Sequence, residues 1–120
     1  MVKPLASLTI ENFWTEDVKQ ITYVCYANFF IVSHKTFYNV QQKQIIIDAD
    51  LFTLNNKVAT SWSVDFITQS GSHWVTSNHL QCDDFKDNNG QVTIGINGDA
   101  QTMYVAFPSS KSCSIKLIKT

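Results

Sequence analysis

The sequence contains no arginine, and this absence narrows the classes of function that fit it. Its nine basic residues are all lysines and stand against ten acidic residues, so the formal net charge is −1. Arginine supplies the bidentate contacts to phosphate and guanine, and the stacking on bases, that nucleic-acid-binding surfaces use most. A near-neutral chain without arginine therefore predicts no nucleic-acid partner.

Long apolar runs, glycine-rich loops and glycosylation sequons are also missing. No stretch of about 18 apolar residues occurs, which predicts no transmembrane segment, and Met1–Leu5 lacks the apolar region of a signal peptide. Four glycines leave little material for a loop that cradles phosphate, and neither Gly-x-Ser-x-Gly nor His-Glu-x-x-His is present. The sequence therefore predicts no cofactor.

Apolar and polar residues alternate between turn signals along much of the chain. Two Asn-Gly pairs, at 89–90 and 97–98, bracket a segment in which Val92, Ile94 and Ile96 alternate with polar or small residues. Asn-Gly is typical of type I′ turns, whose twist matches that of paired strands. The pattern therefore predicts a meander of half-buried strands with a tight turn at each Asn-Gly pair.

Seven or eight such short strands, spaced by about ten residues, are expected along the chain, and no segment has a helical period with caps. The pattern predicts an all-β fold, an antiparallel two-sheet β-sandwich that forms one domain over residues 1–120. A small closed β-barrel is the alternative. The predicted core comprises Leu8, Ile10, Tyr23, Cys25, Ile45, Ile47, Trp62, Val64, Phe66, Val92, Ile94, Met103, Val105, Ile115 and Leu117.

The longest apolar stretch, residues 21–32, is apolar at both odd and even positions and is expected to be one strand. A strand with two apolar faces is buried on both sides, or its outer face meets another molecule. Tyr26, Phe30 and Val32 then form a possible homo-oligomer face. If the segment 29–32 instead reached a loop tip, it could enter a bilayer interface.

Three cysteines leave the redox state open. Cys25 lies in the most apolar stretch and is expected to be a buried thiol. Cys82 and Cys113 lie in polar surroundings and could form a disulfide across the C-terminal meander. A bridge favours a secreted protein over a cytoplasmic one, whereas three reduced thiols favour the cytosol.

The densest polar cluster spans residues 73–84 and contains histidines, carboxylates and a tryptophan. An exposed aromatic face surrounded by hydrogen-bonding groups is typical of sites that stack sugars or hold amphipathic ligands. The alternative for each tryptophan is partial burial under a loop, and for the cluster a plain polar loop. The predicted ligand-binding residues are Trp14, His73, Trp74, Asn78, His79, Asp83 and Asp84.

The cluster at residues 73–84 gives weaker support to metal binding or hydrolysis than to ligand binding. His73, His79 and Cys82 match no zinc-ligand spacing, so no metal site is predicted. A small metal-dependent hydrolase using His79, Cys82 and Asp83 stays the second alternative function, with no catalytic residue assigned. The acidic residues after Cys82 do not match the EF-hand calcium loop, because Phe85 would stand at the position of the first ligand.

In size, acidity and strand pattern the chain is similar in outline to small β-sandwich lectins and to compact membrane-binding toxins such as aegerolysins. No family motif is matched by residues here, so no site is carried over from either. The sequence predicts a non-enzymatic binding module whose partner is a glycan or a lipid headgroup. The first alternative is a structural protein that forms a homo-oligomer through the apolar strand face.

Overall fold

The computed structural model describes residues 5–27, 30–53, 60–82, 91–107 and 112–120, and every regular element in these ranges is a β-strand. The strands are β1 (Leu5–Phe13), β2 (Val18–Ala27), β3 (Phe30–Val40), β4 (Ile45–Thr53), β5 (Thr60–Thr68), β6 (His73–Thr76), β7 (Leu80–Gln81), β8 (Gln91–Asn97), β9 (Thr102–Ala106) and β10 (Cys113–Lys119). The all-β prediction is therefore confirmed.

The ten strands form one continuous sheet rather than two separate ones. Its order is β3-β2-β5-β6-β10-β9-β8-β1-β4, and β7 pairs with β5 beside β6. All pairs are antiparallel except β1 with β8, which run parallel. The sheet curls until its end strands β3 and β4 approach each other. This nearly closed shape fits the barrel alternative, whereas the two-sheet sandwich is not confirmed.

Side chains, not a backbone ladder, join the two end strands. Asp50 of β4 accepts hydrogen bonds from the hydroxyls of Ser33 on β3 and Tyr23 on β2, and Lys35 Nζ lies 3.7 Å from its other carboxylate oxygen. At the opposite end, the buried Asn12 side chain donates to the carbonyls of Val40 and Gln41. Polar contacts thus close the barrel at a seam between β3 and β4.

The core fills the inside of this barrel, and the alternation predicts most of its residues correctly. The prediction is wrong for two residues of β4. Ile45 is 49% exposed and Ile47 is 73% exposed. Ile46, between them, packs against the core instead. In the pairing with β1, the three residues of β4 between Ile46 and Asp50 face the single residue of β1 between Ile10 and Leu8, so β4 contains a bulge. Ile46 lies opposite the buried Ile10 and Ile45 lies opposite Glu11, so the pairing with β1 turns Ile46 rather than Ile45 to the inner face.

The expected single strand over residues 21–32 is two strands of a hairpin. Ala27 and Phe30 pair at its end, and a bulge lies between the Cys25 and Tyr26 pairings. Phe30 is 75% exposed, but Val32 packs against the core and Tyr26 is half-buried. Tyr26 and Phe30 therefore lie on two paired strands rather than one, and the prediction of Val32 on an outer face is wrong because it packs on the core.

The turn after β8 also differs from the predicted type I′ form. Its loop spans residues 98–101, and the positive φ lies at Gln101 (54°) rather than at Gly98. Asn97 Oδ1 accepts hydrogen bonds from the amides of Asp99 and Ala100. A Cβ on Gly98 would lie 2.7 Å from the backbone nitrogen of Thr15, so this glycine is needed for space. The other Asn-Gly pair, at 89–90, lies outside the described residues.

A disulfide joins Cys82 to Cys113, with the two Cα atoms 6.1 Å apart, and Cys25 is a buried free thiol. The Cys82 carbonyl accepts hydrogen bonds from Trp62 Nε1 and Thr60 Oγ1, both at 2.9 Å. Cys82, which directly follows β7, is therefore attached both to β5 and to the start of β10.

Candidate binding site on the outer face of the sheet

The candidate site begins with an irregularity in the strand that pairs with β5. β6 pairs Val75 with Asp65, and β7 pairs Leu80 with Trp62. Between these pairs β5 has two residues, 63 and 64, whereas the chain opposite has four, 76–79. Two extra residues therefore bulge out, and bulges of this kind redirect side chains at sheet surfaces.

The bulge forms one wall of a groove on the outer face of the sheet. β2 and β5 supply its floor, because their odd- and even-numbered side chains point to opposite faces and the inward set is buried. The groove has a volume of about 570 Å³. Its polar lining includes Gln20, Thr22, Ser63, Asp65, Ser77 and Asn78.

An aromatic stack lies at the β7 end of the bulge. The ring of His79 packs on that of Tyr26, with centroids 4.4 Å apart and planes within 16°. Tyr26 follows Val24 on the outward face of β2, and both His79 and Val24 line the groove. The stack therefore holds the bulge over the groove floor and adds apolar surface to a mainly polar site.

Asp65 is the charged group of the groove, and a neighbouring histidine orients it. His73 Nε2 lies 2.6 Å from Asp65 Oδ1, and His73 Nδ1 faces the hydroxyl of Thr120. The Thr120 backbone amide also donates to the His73 carbonyl at 2.9 Å. One carboxylate oxygen is thus occupied by His73, and the other stays available to a ligand in the groove.

The void that the described residues line inside the barrel is much smaller than the groove. The void beside Tyr23, Phe37 and Met103 has room for about 10 Å³, about the minimum that one water molecule needs. This void is therefore too small for a molecule of the size of a sugar, whereas the groove on the outer face is not.

The predicted ligand-binding residues are divided between the groove, its border and the core. Asn78 and His79 line the groove, and His73 contacts it through Asp65. Trp14 is a correction: only 4% of it is exposed, and its ring packs edge-on against Phe66 and Trp74. Asp83 and Asp84 lie outside the described residues.

The prediction that Trp74 is an exposed ligand contact is also wrong. It lies opposite Phe66 in the β5–β6 pairing, so its side chain points to the inner face, where it is half-buried against the core. The interpretation of both tryptophans as exposed stacking surfaces is therefore wrong. The strand pairing turns Trp74 inward, and Trp14 packs on it.

The metal and cysteine-hydrolase alternatives lose their key residue to the disulfide. Cys82 is bonded to Cys113 and so has no thiolate to attack a substrate or ligate zinc. No group of three or more His, Cys, Asp or Glu side chains suitable for a metal comes together within the described ranges.

Local sequence composition does not identify most residues of the groove floor as candidate site residues. Thr22 and Ser63 stand singly between apolar residues, and Gln20 follows Lys19, so all three resemble the solvent side of any strand. The available signal was the alternation of residues 60–68, which places Ser63 and Asp65 on one polar face. Which loop covers that face depends on strand pairing, and the sequence does not show the pairing.

No protein-family model matches the chain, and no curated protein matches it either. In the part of the chain that the structure describes, no helix has the length and apolar character needed to cross a membrane.

Proposed function

We propose that the chain is a non-enzymatic binding module that holds a neutral carbohydrate in the outer groove. The observation that carries this proposal is the lining: hydroxyl, amide and carboxylate side chains converge on one concave surface beside the Tyr26–His79 stack. Sugars present hydroxyls that both donate and accept, and hydroxyl, amide and carboxylate groups match them. The apolar face of a sugar ring packs on aromatic and aliphatic surface.

The charge of the lining favours a sugar over a phospholipid headgroup. Among the described lining residues, Asp65 is the one carboxylate and there is no lysine. A phosphate in the groove would be repelled by Asp65 and would lack the cationic partner that anion sites use. A hydroxyl of a neutral sugar can instead donate a charge-assisted hydrogen bond to the Asp65 carboxylate.

The same lining favours binding over hydrolysis. Glycoside hydrolases use two carboxyl groups that flank the scissile bond. Asp65 has no second carboxylate beside it among the described residues of the groove. Its neighbour His73 already occupies one of its oxygens. This arrangement fits a carboxylate that accepts a hydrogen bond from a ligand hydroxyl through its second oxygen.

Calorimetric titration with neutral sugars tests the proposal. Asp65→Asn keeps the shape of the groove but removes the charge-assisted hydrogen bond, and it should weaken binding by tenfold or more, since such bonds contribute about 1.5–3 kcal/mol. Asp99→Asn, the same change on an exposed turn, is the matched control and should leave affinity unchanged. Equal affinities for both variants, or no binding of any sugar to the wild-type chain, would remove the proposal.

The disulfide supports a secreted location as part of the same proposal, because structural disulfides persist in oxidising compartments. A carbohydrate partner is also abundant outside cells.

The second candidate function is assembly into a homo-oligomer, and it rests on where apolar side chains are exposed. Phe30, Ile31, Ile45, Ile47 and Leu51 are all more than 45% exposed and all lie on the end strands β3 and β4. Edge strands with exposed apolar side chains are places where chains associate. Sedimentation should show a dimer that Ile47→Asp dissociates and the control Ile118→Asp does not. A monomer at high concentration would contradict this candidate.

A further inference from the structure

We propose that the groove continues past Gln20 onto β3, where Tyr38 forms a second stacking surface, so that the ligand is an oligosaccharide chain rather than a single sugar. This inference rests on the proposed function and names the ligand class more narrowly.

The strand register places β3 beside the groove floor. Gln20 pairs with Tyr38, and Thr22 pairs with Thr36. Residues directly opposite in an antiparallel pair point to the same face. The hydroxyls of Thr22 and Thr36 lie 2.8 Å apart, as expected for side chains on one face. The outward side chains of β3 therefore extend the lining of the groove without a break.

Tyr38 is an exposed aromatic residue at that border. It is 66% exposed, and no ring of the described residues stacks on it. Large aromatic side chains are usually at least half-buried, and a tyrosine with a free face beside polar groups can pack a sugar ring and hydrogen-bond a hydroxyl at the same time. Gln20, its partner in the register, lines the groove.

The separation of the two aromatic groups sets the length of the ligand. Tyr26 and Gln20 are six residues apart on β2, which corresponds to about 20 Å at ~3.3 Å per residue. The outward side chains between them, Thr22 and Val24, line the groove continuously. A single sugar ring reaches only one end of this row, whereas a short chain can contact the Tyr26–His79 stack and Tyr38 together.

The experiment compares affinities along a homologous series. Neutral oligomers of glucose, mannose, galactose and N-acetylglucosamine, from monomer to tetramer, are titrated into the wild-type chain and into Tyr38→Ala and Tyr38→Phe. We expect affinity to rise by about tenfold from monomer to tetramer, in line with one additional aromatic contact. Tyr38→Ala should abolish the rise and leave monomer affinity unchanged, and Tyr38→Phe should keep most of it.

Phe13→Ala, which removes another exposed aromatic ring, is the control and should not change the rise. Binding without dependence on length, or a rise that Tyr38→Ala does not reduce, overturns the extension while the proposed function stands. Absence of binding at every length overturns both. Thermal unfolding of each variant shows that a loss of affinity is not a loss of fold.

Discussion

The hydroxyl of Tyr23 donates a 2.8 Å hydrogen bond to Asp50 Oδ2, although Tyr23 lies on β2 and Asp50 on the opposite end strand β4. Ser33 of β3 donates to the same oxygen. One carboxylate therefore receives hydrogen bonds from both strands on the far side of the seam, and it closes the barrel where no backbone ladder does.

This carboxylate makes stability depend on pH. Burial by itself raises the pKa of Asp50, but hydrogen bonds from Ser33 and Tyr23 and the charge of Lys35 outweigh burial and hold the pKa below its usual value. A depressed folded-state pKa stabilises the fold at pH values above the unfolded pKa of about 3.9, and the contribution is lost as pH falls through the folded value. Burial raises the pKa of Tyr23, so this hydroxyl stays a donor at neutral pH.

Asp50→Asn should therefore lower the free energy of unfolding at pH 7 by about 1–3 kcal/mol and make its decline below pH 4 shallower. Urea unfolding between pH 2 and 7 measures both effects. Asp48→Asn, on the same strand, serves as a control because Asp48 hydrogen-bonds only Ser7 in the described structure. If the free energy of unfolding falls below pH 4 as steeply in Asp50→Asn as in the wild-type chain, the seam does not depend on this charge.

The disulfide should account for a large part of the stability of the C-terminal half. It closes a loop of 31 residues, for which the chain-entropy argument gives about 3–4 kcal/mol. The double variant Cys82→Ala with Cys113→Ala should unfold at correspondingly lower urea concentration.

Thiol titration checks the pairing itself. One thiol should react in denaturant without reductant and three after reduction, and none should react readily in the native protein, because burial raises the pKa of Cys25 to about 12. Three reactive thiols without reductant would contradict both the bridge and the expected compartment.

Gly95 is required by the packing of Tyr104 across the neighbouring strand. A Cβ at this position would overlap the Tyr104 ring, whose hydroxyl is held at 2.6 Å by Glu11 on the other side. Gly95→Ala should cost about 1–3 kcal/mol, as overpacking does. The same change in a Tyr104→Ala background should cost much less, and chemical unfolding of the four proteins measures the coupling. Equal costs in both backgrounds would contradict the overlap.

Trp14 should behave as a core residue and not as a ligand contact. Trp14→Phe removes packing against Phe66 and Trp74 and should lower the free energy of unfolding by roughly 1–3 kcal/mol. Sugar affinity, measured under conditions where the variant is folded, should stay within about twofold of the wild-type value. A large loss of affinity without a change in the free energy of unfolding would show that Trp14 contacts the ligand.

The parts of the fold that the sequence predicts are those that local alternation determines. Val92, Ile94 and Phe66 are buried as expected, because each lies in a regular stretch of strand. Ile45 and Ile47 are not, because the register with β1 places Ile46 opposite the buried Ile10, and three consecutive isoleucines do not show which of them faces inward. The separation of residues 21–32 into two strands also follows from pairing, since its two ends pair antiparallel with each other.

The site is predictable only in part for a related reason. Asn78 and His79 stand out because they are polar and consecutive, but their relation to Asp65, Gln20 and Tyr38 arises from the register of β2, β3 and β5. Trp14 and Trp74 have polar neighbours in sequence, yet they contact each other in space. Composition within a short window identifies candidate side chains, and strand pairing decides which of them share a face.

We propose above all that a neutral sugar binds on the outer face of β2 and β5, under the bulge. Titration of the isotope-labelled protein with the neutral sugar that binds best, followed by amide chemical shifts, tests this most directly. Shifts confined to the backbone around Gln20, Thr22, Ser63 and residues 77–79, saturating with added sugar, are the predicted result. Saturating shifts centred elsewhere, for example on β4 and β8, would contradict the claim.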